Sequence, residues 1–134
     1  MNGSSWLIVA SLLLAIAILF YPSLHKKYRS RQCTGKLWKA EFPLDEKQTI
    51  RSFLTCLTDS MAFRKRDILK FRPSDKVLDI YKSIYCDRIP YGDCMECETF
   101  LENLSETFGK DIESLFEYWH EEITLRDLYS YATR

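Results

Sequence analysis

This chain of 134 residues lacks a net charge, a glycine-rich loop, an internal repeat and any obvious pairing of nucleophile with base. Each absence removes a class of function. Lys and Arg total 19 and Asp and Glu total 19, so the formal net charge is zero. Nucleic-acid-binding domains normally carry a basic face, and a balanced chain gives no case for one. With only four glycines there is no phosphate-cradling loop, and no period or low-complexity tract points to a repeat array. The two histidines, His25 and His120, stand alone. Without a base beside a Ser, Thr or Cys nucleophile, catalysis has no foothold, and the chain reads as a non-enzyme.

What is present is ordinary globular material: 46% hydrophobic and 28% charged residues, enough for one small domain plus an appendage. The zero balance hides a segregation of sign. Bases crowd one early segment, at Lys26, Lys27, Arg29, Arg31, Lys36 and Lys39, with no acid before Glu41. Acids crowd the far end, from Asp93 through Glu96, Glu98, Glu102, Glu106, Asp111, Glu113, Glu117, Glu121 and Glu122. Two surfaces with different partners are expected.

Ahead of the bases, Trp6 to Tyr21 runs without a charge. As a helix that core covers about 24 Å at 1.5 Å per residue, short of a roughly 30 Å hydrocarbon slab unless flanking serines and the interfacial rings Trp6 and Tyr21 complete it. A secretory signal wants basic residues before the apolar run, and Met1 to Ser5 supply none. An uncleaved anchor is therefore favoured over a cleaved signal peptide or a buried core helix. Because the Lys and Arg excess follows the run, the positive-inside rule places the rest of the chain in the cytoplasm of a single-pass protein. On this reading residues 1–24 are a transmembrane anchor and residues 25–44 a basic juxtamembrane linker. The linker's six bases fix topology at the membrane surface, with anionic lipid contact as the lesser alternative.

Five cysteines, at 33, 56, 86, 94 and 97, make an odd set, and a cytoplasmic location predicts reduced thiols. Cys94 and Cys97 form a C-x-x-C pair without the second pair that a structural zinc site commonly has. The carboxylates of Asp93, Glu96 and Glu98 raise rather than lower a neighbouring thiol pKa, which disfavours redox catalysis. The expectation is no metal, with Cys97 as a small core residue.

From residue 45 to 134 the periodicity is helical. Asp45 caps a helix with Ile50, Phe53, Leu54, Leu57 and Met61 on one face. Residues 63–72 are basic and irregular, residues 74–80 predict a short capped turn, and Pro90 and Gly92 mark residues 81–92 as a loop. Asp93 and Glu96 then form a capping box for a helix with a buried stripe of Cys97, Phe100, Leu101, Leu104 and Phe108, ended by Gly109. A segment with Ile112, Leu115, Phe116 and Trp119 follows. Thr124 caps the last helix with Asp127 in reach, turning Leu125, Leu128, Tyr129 and Ala132 inward. The fold class expected is all-α, a transmembrane helix followed by a small four-helix bundle.

This order resembles acyl carrier proteins over roughly residues 45–132. The matching positions are Asp79-Ile80, Asp93-Cys94-Met95-Glu96, Phe108, Asp111-Ile112, Ile123-Thr124, Leu128 and Tyr131. The chain is most similar to a set of enterobacterial carrier-like proteins that lack the modifiable serine. The resemblance puts Cys94 at the place of the serine that bears phosphopantetheine, so it implies a carrier-shaped domain without that group. It also implies a bacterial inner-membrane protein whose acidic helix, through Asp93, Glu96, Glu98, Glu102 and Glu106, docks a partner with a basic surface. The alternative is an acyl-chain carrier or sensor that uses Cys94 or a lipid pocket between helices.

Overall fold

A computed structural model of the chain describes residues 3–20, 24–85 and 95–134. Helices account for all of the regular structure among them, and no strand is present. In chain order they are α1 (Gly3–Phe20), α2 (Lys26–Arg29), α3 (Gly35–Glu41), α4 (Lys47–Ser60), a 3₁₀ helix (Lys65–Lys70), α5 (Val77–Tyr85), α6 (Met95–Phe108), α7 (Ile112–Tyr118) and α8 (Leu125–Thr133).

The first correction concerns α1. Eighteen residues rise about 27 Å, and the apolar part from Trp6 onward only about 22 Å, against a hydrocarbon core of roughly 30 Å. Tyr21 and Pro22, needed to lengthen it, lie outside the described residues. Among the described residues no helix is long and apolar enough to cross a membrane. The transmembrane anchor is thereby overturned. The single-pass inner-membrane location goes with it, as does the cytoplasmic placement that the positive-inside argument rested on. Trp6, Leu7, Ile8, Leu12, Leu13 and Leu14 are all well exposed.

The core is built on α4. Ile50, Phe53, Leu54 and Leu57 recur at three and four residues, so one face of the helix is apolar and buried. Against it packs the stripe Cys97, Phe100, Leu101 and Leu104 of α6, with Phe53 and Phe100 edge to face at 5.7 Å. Leu125, Leu128, Tyr129 and Ala132 of α8 close the other side, as their spacing predicts. The capping box of α8 forms as expected: Asp127 N–H donates to Thr124 Oγ1 and Thr124 N–H to Asp127 Oδ2, both at 3.2 Å. Gly109, at φ 70°, ends α6 in a left-handed turn.

The segment between residues 25 and 44, expected as a linker, supplies some of the largest buried side chains. Trp38 is fully buried among Phe42, Phe53 and Tyr129, and its indole N–H donates to the Phe71 carbonyl at 2.8 Å. Tyr28 packs on Phe71 at 5.7 Å. These aromatics were hidden by their basic neighbours, because a four-residue helix and a seven-residue helix are too short to show a period.

Two boundaries also move. Glu46, not Asp45, is the N-cap of α4, and its side chain makes no capping bond. Asp45 accepts instead from the Tyr129 hydroxyl at 2.8 Å, tying the start of α4 to α8. The turn expected at residues 74–80 is the beginning of α5, which runs on to Tyr85. Val77, Ile80 and Tyr81 are buried and Ile84 half-buried, a helical i, i+3, i+4, i+7 face.

Candidate functional site

The acidic ridge lies on α6. With Phe100, Leu101 and Leu104 turned into the core, the 3.6-residue period leaves Glu98, Glu102 and Glu106 on the outside, one turn apart, and all three are exposed. Among the described residues none of them is in an ion pair. Glu96 is half-buried and already engaged by a neighbour. Asp93, expected to cap α6, and Cys94, which the resemblance would set at the carrier serine, both fall outside the described residues.

Electrostatically the ridge is under load. Like charges four residues apart on a helix cost about 0.2–0.5 kcal/mol per pair, and the ridge contains two such pairs. Glu106 adds to this, since a negative group in the last turn opposes the helix dipole and that turn holds no base. Lys110, the nearest cation in sequence, sits over the Tyr131 ring at 4.4 Å.

Beside Glu106 the ridge meets a polar crevice of about 460 Å³ between α4 and α6. Gln48, Ser52, Thr55, Cys56 and Asp59 line one wall, and Asn103, Glu106 and Thr107 the other. The wall is held by cross-helix bonds: Asn103 Nδ2 donates to Ser60 Oγ at 2.9 Å and Cys56 Sγ to Thr107 Oγ1 at 3.3 Å. Burial, more than anything else, pushes the Cys56 thiol pKa up, so this sulfur is a protonated packing group rather than a nucleophile. Two exposed carboxylates, Asp59 and Glu106, flank neutral donors and acceptors. That arrangement suits a cationic side chain. Sequence reasoning found Glu106 but missed Asp59, Gln48 and Asn103, because a crevice between helices 40 residues or more apart leaves no local pattern.

The early bases scatter to different tasks. Arg31 is half-buried in a forked pair with Asp75, at 2.6 and 3.0 Å, and also lies 4.8 Å from the Tyr28 ring centre. Lys39 donates to the Asp45 carbonyl at 2.5 Å. Lys26, Lys27, Arg29 and Lys36 are exposed. Of the two histidines, His25 Nδ1 accepts the Lys27 N–H at 3.2 Å as a helix cap, and His120 sits exposed just after α7.

The cysteines correct a further expectation. Cys33 and Cys56 are free, but Cys97 is disulfide-bonded. The prediction of reduced thiols rested on a cytoplasmic placement derived from the span, and it loses its ground with the span. Among the described residues no group of three or more His, Cys, Asp or Glu is placed to hold a metal ion. No family model matches the chain, and no curated protein or solved structure is significantly similar to it.

Proposed function

We propose that this chain is a non-enzymatic interaction module that takes a basic partner surface on the α6 ridge, with one Lys or Arg of the partner seated between Asp59 and Glu106. The observation that carries this reading is that Glu98, Glu102 and Glu106, in no ion pair among the described residues, run into a polar crevice of about 460 Å³. A docked cation relieves the repulsion along the ridge and the unfavourable charge at the helix end in the same step. Complementary charge of this kind speeds and orients the encounter more than it tightens it, and salt weakens it.

The test is affinity capture from the native cell with three baits: wild type, Glu102→Lys/Glu106→Lys, and Glu113→Lys/Glu117→Lys on the exposed side of α7. Reversal on α6 should lower recovery of the captured partner by about tenfold, as expected when two charge contacts are lost, while reversal on α7 leaves it unchanged. Equal recovery with the α6 variant refutes docking through this ridge.

A further inference from the structure

A second cavity, of about 360 Å³, lies on a different side of α4, between that helix, α3 and the 3₁₀ helix. Its chemistry is the opposite of the acidic crevice. Half-buried Leu69 gives it an apolar wall over the buried Trp38 and Ile50, with Cys33 and Gly35 at one edge. Lys36 and Lys39 from α3 and Lys47 and Arg51 from α4 complete the lining, and no carboxylate is part of it. Lys39 donates to the Asp45 carbonyl, whereas Lys36, Lys47 and Arg51 have no ion-pair or hydrogen-bond partner for their side chains among the described residues.

Four cations around one apolar hollow are costly without an anion. Lys36 and Lys39 are three apart on one helix and Lys47 and Arg51 four apart on the other, so each helix carries a repelling pair, and the two pairs share one cavity. Binding pockets for small molecules are concave, largely apolar and fixed by a few polar groups, commonly at volumes of about 300–1,000 Å³. This hollow meets those terms. A neutral ligand would leave the charges uncompensated, and a bare anion would leave half-buried Leu69 and the exposed Cys33 edge uncovered.

We infer that the α3–α4 cavity binds a small amphiphile made of an apolar body and a phosphate head, with Lys36, Lys47 and Arg51 around the head and Leu69 and the Cys33 edge against the body. A doubly charged phosphomonoester matches an all-cationic lining better than a carboxylate does, and an arginine fork beside lysines is well suited to phosphate oxygens. The site is separate from the α6 ridge and does not rest on the partner-docking reading.

Isothermal titration of the full chain with hexyl phosphate, hexanol, hexanoate and inorganic phosphate tests it. Hexyl phosphate should bind saturably at one per chain, below its micelle concentration, with each of the other three at least about tenfold weaker. Lys47→Gln/Arg51→Gln, at two exposed positions, should weaken hexyl phosphate by about tenfold. Gly35→Leu supplies an independent check that keeps every charge. A Cβ there would meet Cys33 Sγ at 3.5 Å and Leu69 Cδ1 at 4.0 Å, ordinary contacts, and the rest of the side chain would occupy the cavity and abolish binding. The inference is overturned if hexyl phosphate does not saturate, if hexanol or inorganic phosphate binds as tightly, or if both variants bind like wild type. Tighter binding of hexanoate would overturn the phosphate assignment.

Discussion

Arg31 offers the sharpest test of the architecture, because its sequence neighbours suggest a solvated base and its surroundings make it part of the core. Its guanidinium forks onto both oxygens of Asp75, and the two side chains are only 11% and 10% exposed. It also donates to the Lys70 carbonyl at 3.3 Å, and the backbone N–H of Arg72 donates to the same aspartate at 2.7 Å. Arg31→Met keeps the aliphatic stem against Tyr28 and leaves Asp75 with that one backbone donor. Removing one partner of a buried pair costs roughly 3–5 kcal/mol, and the slight exposure here puts the expectation at about 3 kcal/mol. With a urea m-value of about 1.5 kcal/mol/M for a domain this size, the unfolding midpoint falls by about 2 M. Arg31→Met/Asp75→Asn, which removes both charges, should lose less than the single variant, so the double-mutant cycle gives a coupling of about 2 kcal/mol. Lys26→Gln and Arg29→Gln, at exposed positions, stay within about 0.5 kcal/mol. If Arg31→Met unfolds at the same urea concentration as Lys26→Gln, the pair is not structural and the placement of α2 against the 3₁₀ helix is wrong.

Two further outcomes follow from buried groups elsewhere. Burial first, then the charges of Asp75 and Asp79, push the Tyr28 hydroxyl up to about 12, above a free phenol at about 10. The folded state thus holds this proton more tightly than the unfolded chain, so its stabilisation is complete below about pH 10 and is lost as the pH rises toward about 12. Urea midpoints measured from pH 9 to 12 should fall across that window, less steeply in Tyr28→Phe, and identical slopes would contradict the assignment. Alkylation by iodoacetamide followed by peptide mass spectrometry should modify exposed Cys33 first and buried Cys56 slowly, with Cys97 modified only after reduction. Labelling of Cys97 without reductant would remove the disulfide.

Long amphipathic periods were readable and short ones were not. The stripes of α4, α6 and α8 each repeat over two or more turns, and the cap Thr124 sits where its hydroxyl chemistry places it, so these elements follow from spacing alone. Helices α2 and α3 are one and two turns long, and their buried residues, Tyr28 and Trp38, stand singly among bases. Such residues become legible only through partners more than 30 positions away, such as Phe71 for both. The apolar run of α1 was legible as a helix, yet its reading as a span failed, since among the described residues no helix is long and apolar enough to cross a membrane. Of the acidic site, the ridge was visible in the four-residue spacing of Glu98, Glu102 and Glu106. The crevice was not, because it belongs to two helices at once.

The same helix explains how a linear segregation of charge becomes a spatial one. Residues of α4 advance roughly 100° each around its axis. Ile50, Phe53, Leu54 and Leu57 therefore occupy the buried face. Lys47 and Arg51 fall on one flank beside α3, and Gln48, Ser52, Thr55 and Asp59 on the flank beside α6. The early bases Lys36 and Lys39 come to the first flank, and the late acid Glu106 to the second. Each flank joins α4's own charges to those of a different part of the sequence. A chain with no net charge consequently presents a cationic apolar hollow and an anionic polar crevice on neighbouring flanks of one helix.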